Sequence, residues 1–307
     1  MHKMTDERWL KDIKVIIFDM DGTLYQEDSF MERYIRHLLK GTEHEPDTEA
    51  AVQTAKVIRS GDTGFGFGHF YHLQDGVMLI REEEGMAQGY VWDGTSVPIP
   101  AVGGRYDFGS IEGAELLHIG DPWGIVAMLS HRYKLPERKL TDAFDQVRRE
   151  MLRDPYRFEI HPGLMQAVEE LGVEKKVLMT NTPQQSGIEF LEYMNMRHVF
   201  DEVHCGAGKP EGLELYVASL LKQGYGAHEI LSIGDNPWND LHPVRRIGGR
   251  TCLISPYASY DQATWDLRLT ALDELEQLLY AIRSCILKEG MTDGTDPAEK
   301  HQQEVQG

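Results

Sequence analysis

The chain has 307 residues, 41% of them hydrophobic, enough for a substantial core and more than one ordinary domain needs. Its 50 acidic residues outweigh 31 basic ones, and the formal charge of −19 argues against a nucleic-acid polymer or an anionic membrane as main partner, since counterion release needs clustered Lys and Arg. Cys205, Cys252 and Cys285 lie far apart with no C-x-x-C spacing, which suggests neither a disulfide framework nor a thiolate zinc site and points to a reducing cytoplasm.

The N-terminal MHKMTDERWLKD carries charges where a signal peptide needs an apolar stretch, and no run elsewhere is long enough to span a bilayer, so a soluble protein is expected. Val15, Ile16, Ile17 and Phe18 then form an uninterrupted β-branched and aromatic run, which suits a strand buried on both faces of a parallel sheet. Asp19 and Asp21 follow it. Side chains at i and i+2 of an extended chain share a face, so both carboxylates point the same way if the strand geometry persists. Two such charges about 5 Å apart repel by roughly 3 kcal/mol at an effective dielectric of about 20, so a cation, a proton or hydrogen-bond donors must offset them.

From Tyr25 to Glu159 the composition changes. SFMERYIRHLLKG reads as a helix; a Gly-rich, aromatic stretch around residues 61–72 and the pieces of VMLIREEEGMAQGYVWDGTSVPIP read as a small β-meander. DPWGIVAMLSHRYKL places Pro122 at a helix start, and KLTDAFDQVRREML is amphipathic. An inserted mixed α/β cap over residues 25–159 is therefore expected, with hinges near Leu24–Tyr25 and residues 154–160. GDPW at 120–123 echoes GDNPW at 234–238, but one short match does not make a repeat.

From His161 onward, apolar strands alternate with amphipathic helices: HPGLMQAVEELG (helix), KKVLMTNT (strand), SGIEFLEYMNM (helix), VFDEVHC (strand), LELYVASLLKQG (helix), HEILSIGDNPWND (strand ending in acids) and RTCLI (strand). That alternation implies βαβ crossovers and a doubly wound parallel sheet, Rossmann-like, with its site at the carboxyl ends of the strands. Polar residues sit at those ends: Asp19 and Asp21, Thr180 and Asn181, and Asp235. A core made of residues 1–24 and 160–288 is expected, followed by a tail from 289 to 307 with no aromatic, leucine or isoleucine that should be disordered.

FDMDGTLY resembles the first signature, D-x-D-G-T, of the haloacid dehalogenase (HAD) superfamily. Thr180 in VLMTNT, Lys209 in GKP, and Asp235 and Asp240 in GDNPWND are similar to its remaining signatures, in the same order. The resemblance is to HAD phosphatases with an inserted C1-type cap; it covers roughly residues 13–24 and 160–285. It implies an aspartyl-phosphate formed on Asp19, with Asp21 as general acid and then base. It also implies metal binding, with magnesium (Mg²⁺) held by the Asp19 carboxylate, the Asp21 carbonyl and Asp235, and Asp240 either an outer-sphere partner or the acid that orients Lys209. Lys209, the Thr180 hydroxyl and the backbone N–H groups of Gly22 and Asn181 would cradle the phosphoryl oxygens. Dehalogenases resembling this core lack an acid at the position of Asp21, which favours phosphatase or phosphotransferase chemistry.

In the insert, ordinary structural roles outweigh catalytic ones. His69 and His72 are expected as packed or exposed imidazoles, and GFGFG lacks the G-K-[ST] ending of a phosphate loop, its glycines serving tight turns. Trp92, Trp123 and Tyr106 could face substrate, and Arg81, Arg105 and Arg132 are the candidate anion contacts. The expected function is hydrolysis of a small phosphorylated metabolite. A phosphomutase or phosphotransferase, and a non-catalytic binding or regulatory protein, are the alternatives. Monomer and homodimer both stay open.

Overall fold

The computed structural model describes residues 7–82, 85–92, 94–97 and 116–292. Six strands form an all-parallel sheet: β1 (Val15–Phe18), β7 (Lys175–Thr180), β8 (Glu202–Cys205), β9 (Ile230–Gly234), β10 (Arg250–Ile254) and β11 (Leu267–Leu269). Their spatial order is β11-β10-β9-β1-β7-β8. β1 is the pivot. The chain moves outward through β7 and β8 on one side and through β9, β10 and β11 on the other. The strand order thus reverses at β1, where open α/β sheets place their ligands.

The apolar run of β1 alternates between two helical layers. Val15 and Ile17 pack with Leu213, Val217 and Leu220 of α7 (Glu211–Lys222) and Val244 of α8 (His242–Arg246). Ile16 and Phe18 join the larger core containing Leu164 and Val168 of α5 (Pro162–Glu169) and Leu275 and Leu279 of α9 (Leu272–Thr292). All four residues of β1 are buried, as a strand covered on both faces requires. α6 (Gln184–Tyr193) follows β7. Because α9 runs to Thr292, residues 289–292 are helical, contrary to the disorder expected from residue 289; residues 293–307 lie outside the described residues. The helical backbone continues a little over a turn past its final leucine, Leu287.

Between β1 and α5 lie four helices and a second, antiparallel sheet. The helices are α1 (Phe30–Leu39), α2 (Thr48–Ser60), α3 (Pro122–Arg132) and α4 (Glu137–Met151), with α1 packed against the other three. The sheet has the order β5-β4-β3-β2-β6, from β2 (His69–His72), β3 (Met78–Glu82), β4 (Gly85–Tyr90), β5 (Ser96–Val97) and β6 (Leu116–Ile119). The meander expected from turn signals is therefore present, with β6 returning to pair beside β2. Gly68 has φ +95° and packs so close to the chain at Tyr260 and Asp261 that a Cβ would clash, whereas Gly64 and Gly66 adopt no left-handed conformation. These two sit against the Tyr90 and Tyr260 rings, whereas Gly68 lies in a turn as expected.

The antiparallel sheet is seated on the core. The Tyr260 N–H donates to the Phe67 carbonyl at 2.7 Å, and the Phe70 ring meets Trp238 edge-on at 5.0 Å. His69 and His72 are buried, as packed imidazoles. Where the insert rejoins the core, Phe158 stacks on Tyr25 at 4.3 Å and on Phe190 at 5.3 Å, filling the space beneath the end of β1.

Phe158→Ala should lower the free energy of unfolding by about 3–5 kcal/mol, the cost of emptying a buried aromatic site. Tyr156→Ala, at a side chain 46% exposed nearby, should cost less than about 1 kcal/mol. Urea denaturation followed by far-UV circular dichroism compares the two.

Candidate active site

Each strand neighbouring β1 delivers a side chain to the same crevice. β7 ends in Thr180 and β9 is followed by Asp235, so both flank Asp19 because β7 and β9 are the two partners of β1. One carboxylate oxygen each from Asp19, Asp235 and Asp240 lie within 4.8 Å of one another. Gly22, at φ +82°, permits this closeness, since a Cβ there would overlap the Asp235 carboxylate.

Lys209 is the cation at the centre. Its Nζ donates to Asp19 Oδ1 at 2.7 Å, to Asp240 Oδ1 at 2.6 Å and to the Met179 carbonyl at 2.7 Å. Those three bonds use every N–H of the ammonium, so Lys209 offers the crevice its charge, and offers a hydrogen bond only by giving one up. Burial disfavours that charge, yet the Asp19 and Asp240 carboxylates outweigh it and raise the Lys209 pKa. The loop is fixed by a reciprocal pair: Asn181 Nδ2 donates to the Lys209 carbonyl at 3.0 Å, and the Lys209 N–H donates to Asn181 Oδ1 at 2.7 Å. The Asn181 side chain is thereby spent on Lys209. The other Asp240 oxygen accepts the Asn236 N–H at 3.0 Å, so both Asp240 oxygens are engaged and the residue orients Lys209.

One ammonium does not balance this group. Burial, then the nearby Asp240 and Asp21 charges, push Asp19 up to about 8 despite Lys209. Asp235 is driven well above the ordinary carboxylate range by burial and by Asp121, Asp19 and Asp240. The donors are all hard oxygens and the charge excess is negative, the combination that a small divalent cation satisfies.

Asp21 is handled differently. Arg148, from α4, pairs with Asp21 Oδ1, as does the Tyr25 hydroxyl. Thr182 Oγ donates to Asp21 Oδ2 at 2.7 Å, and the Thr180 hydroxyl lies 3.5 Å from the same oxygen. Burial opposes ionisation, but Arg148 and these hydrogen bonds together hold the Asp21 carboxyl below its usual value. Arg148 is itself 2% exposed; its Nε donates to Ser186 Oγ at 2.9 Å and its guanidinium lies 3.4 Å from the Phe190 ring centre.

The crevice opens into a cavity of about 280 Å³ roofed by the insert. Asp121 caps α3, its Oδ1 accepting the Gly124 N–H at 2.8 Å, while its Oδ2 accepts from Asn236 Nδ2 at 2.7 Å. His118 Nδ1 is 3.1 Å from Asn236 Oδ1. Gly120 allows the approach, because a Cβ there would overlap Asn236. GDPW and GDNPW thus face each other across the site as two capped turns.

Asp19, Asp21, Thr180, Asn181, Lys209, Asp235 and Asp240 all line this one cavity, and Gly22 abuts Asp235. Trp123 also lines it; Trp92 instead packs under Arg132 at 3.9 Å, and Tyr106 lies outside the described residues. Of the three arginines expected as anion contacts, Arg132 is away from the cavity, and Arg105 and the side chain of Arg81 lie outside the described part of the structure. Among the described residues, Arg148 reaches the site. It was findable, since it occupies the apolar face of α4 beside Ala143, Val147 and Met151. Thr182, Tyr25, Asp121 and His118 were the other residues missed.

A family model for haloacid dehalogenase-like hydrolases matches residues 13–248. The chain belongs to that family. No curated protein sequence matches it significantly. A structure described as a predicted phosphoglycolate phosphatase from Haemophilus somnus 129PT has a TM-score of 0.50 at 14% identity, covering 87% of this chain and 98% of that one. The HAD-hydrolase YfnB from Bacillus subtilis bound to magnesium gives 0.49 at 14%, covering 87% and 98%. L-2-haloacid dehalogenase from Xanthobacter autotrophicus gives 0.44 at 14%, again covering 87% and 98%. These HAD likenesses concern the fold and do not separate phosphatase from dehalogenase. No helix among the described residues is long and apolar enough to cross a membrane.

Arg148→Met removes one partner of a buried ion pair and should destabilise the protein by about 3–5 kcal/mol in denaturant unfolding. Arg148→Lys should recover little, because a single ammonium cannot reach Asp21 and Ser186 as the planar fork does. A loss below about 1 kcal/mol for Arg148→Met would contradict the pairing.

Proposed function

We propose that the chain is a Mg²⁺-dependent phosphomonoester hydrolase acting on a small phosphorylated metabolite through an aspartyl-phosphate on Asp19. The observation that carries this reading is Asp21: a second carboxylate, lining the same cavity as Asp19 and hydrogen-bonded on both oxygens, for which halide displacement has no use. Asp19 and Asp235 fit a hard cation by donor type and spacing, Asp240 stands beside them, and the Asp21 carbonyl is the further oxygen that would join them. When bound, such an ion neutralises charge between an attacking carboxylate and an anionic phosphate.

The chain's own residues account for the rest. The Asp19 carboxylate attacks phosphorus while Asp21 gives its proton to the leaving oxygen; Asp21 then takes a proton from the water that cleaves the acyl-phosphate. Asp21 paired with Arg148 suits the second half, in which a carboxylate accepts that proton. The first half needs Asp21 protonated, which means loosening its contact with Arg148. Lys209 adds positive charge beside Asp19, and Thr180 with the N–H groups of Gly22 and Asn181 borders the space for the phosphoryl oxygens. The elements from α1 to α4 act as the cap, excluding bulk water from the acyl-phosphate.

Steady-state release of inorganic phosphate from an aryl phosphate tests this. Activity should require Mg²⁺, vanish in EDTA, and fall at least about 10³-fold in Asp19→Asn. Metal-independent turnover or an active Asp19→Asn variant refutes it. Separately, Mg²⁺ well above its Kd should raise Tm by about 2–8 °C, and Asp235→Asn should abolish the shift.

A further inference from the structure

We propose that the cavity selects phosphomonoesters whose alcohol part is flat and carries no second anion, and that Asp121 enforces the rejection of that anion. This rests on the phosphatase reading and goes beyond it to substrate class.

Part of the cavity wall is aromatic. Tyr34, Trp123 and Phe144 line it, with ring centres 5.5–6.2 Å apart, and Trp123 is fixed from behind by stacking on Phe30 at 3.8 Å. At about 280 Å³ the cavity falls at the lower limit of ligand-sized sites, which run from roughly 300 to 1,000 Å³. A phosphate and a single ring are of that scale.

Charge decides the rest. Among the described residues lining the cavity, Lys209 is the one permanent cation, and its three N–H groups are spent on Asp19, Asp240 and Met179. His118 lines the wall as an uncharged ring, since burial pulls its pKa down to about 3. A carboxylate on the leaving alcohol would find no unspent cation among those lining residues, and would meet the half-buried carboxylate of Asp121, which already accepts from Gly124 and Asn236.

Phenyl phosphate and 4-carboxyphenyl phosphate differ by one remote charge on the same ring. With Mg²⁺ present, kcat/KM for phenyl phosphate should exceed that for the carboxylated ester by at least about tenfold. Asp121→Asn keeps a helix-capping side chain and should shrink that ratio severalfold. Should Asp121→Asn fail to fold, Ala127→Lys, which places an ammonium on the α3 wall, should shrink or invert the ratio. Equal or faster turnover of the carboxylated ester by the unmodified protein overturns the inference and leaves the phosphatase reading intact. A ratio unmoved by every folded variant overturns the assignment to Asp121. No turnover of either ester overturns the phosphatase reading, and the inference falls with it.

Discussion

Three carboxylates crowded around one buried lysine is the constraint on which the rest of this structure depends. Asp19, Asp235 and Asp240 bring oxygens within 4.8 Å of one another, and Lys209 spends its whole ammonium on two of them and a carbonyl. Such a group is stable only where the backbone leaves no freedom to relax. The sheet provides that by placing β7 and β9 on either side of β1, and Gly22 removes the Cβ that would keep Asp235 away. Charge that a folded chain does not itself neutralise is a standing attraction for a cation, and for chemistry in which negative groups must meet.

Among the described residues, several side-chain contacts tie the insert to this centre. Arg148 reaches Asp21 from α4, Asp121 reaches Asn236 from α3, and Phe70 meets Trp238 from the antiparallel sheet. The first contact holds the Asp21 carboxyl below its usual value and the second fixes Asp121 in the cavity lining. The carboxylates of the core and the part of the cavity supplied by the insert are therefore joined through hydrogen-bonded side chains.

The strand ends were legible because their chemistry is local. An apolar run followed by an acid shows in the sequence itself, and parallel-sheet logic says where such ends gather; Asp19, Thr180 and Asp235 were read that way. Arg148 and Asp121 were harder for a physical reason: Arg148 lies on an ordinary amphipathic helix and Asp121 is a helix cap, and the role of each depends on a partner more than a hundred residues away. Arg148 still left a trace, as a charge on an apolar helix face, whereas Arg132, which looked equally eligible, found Trp92 instead. Thr182 was passed over because Thr180 already filled the motif, although it is Thr182 that makes the shorter bond to Asp21. The glycines of the insert were read as turns, which holds for Gly68, but Gly64 and Gly66 sit against tyrosine rings.

Which atom becomes attached to phosphorus is the question that reaches the centre of this account. Acid quench during turnover of an aryl phosphate, borohydride reduction of the acyl-phosphate and peptide mass mapping would locate it. The account predicts reduction at Asp19 alone. Turnover that leaves Asp19 unmodified, or that marks a different side chain, would contradict it.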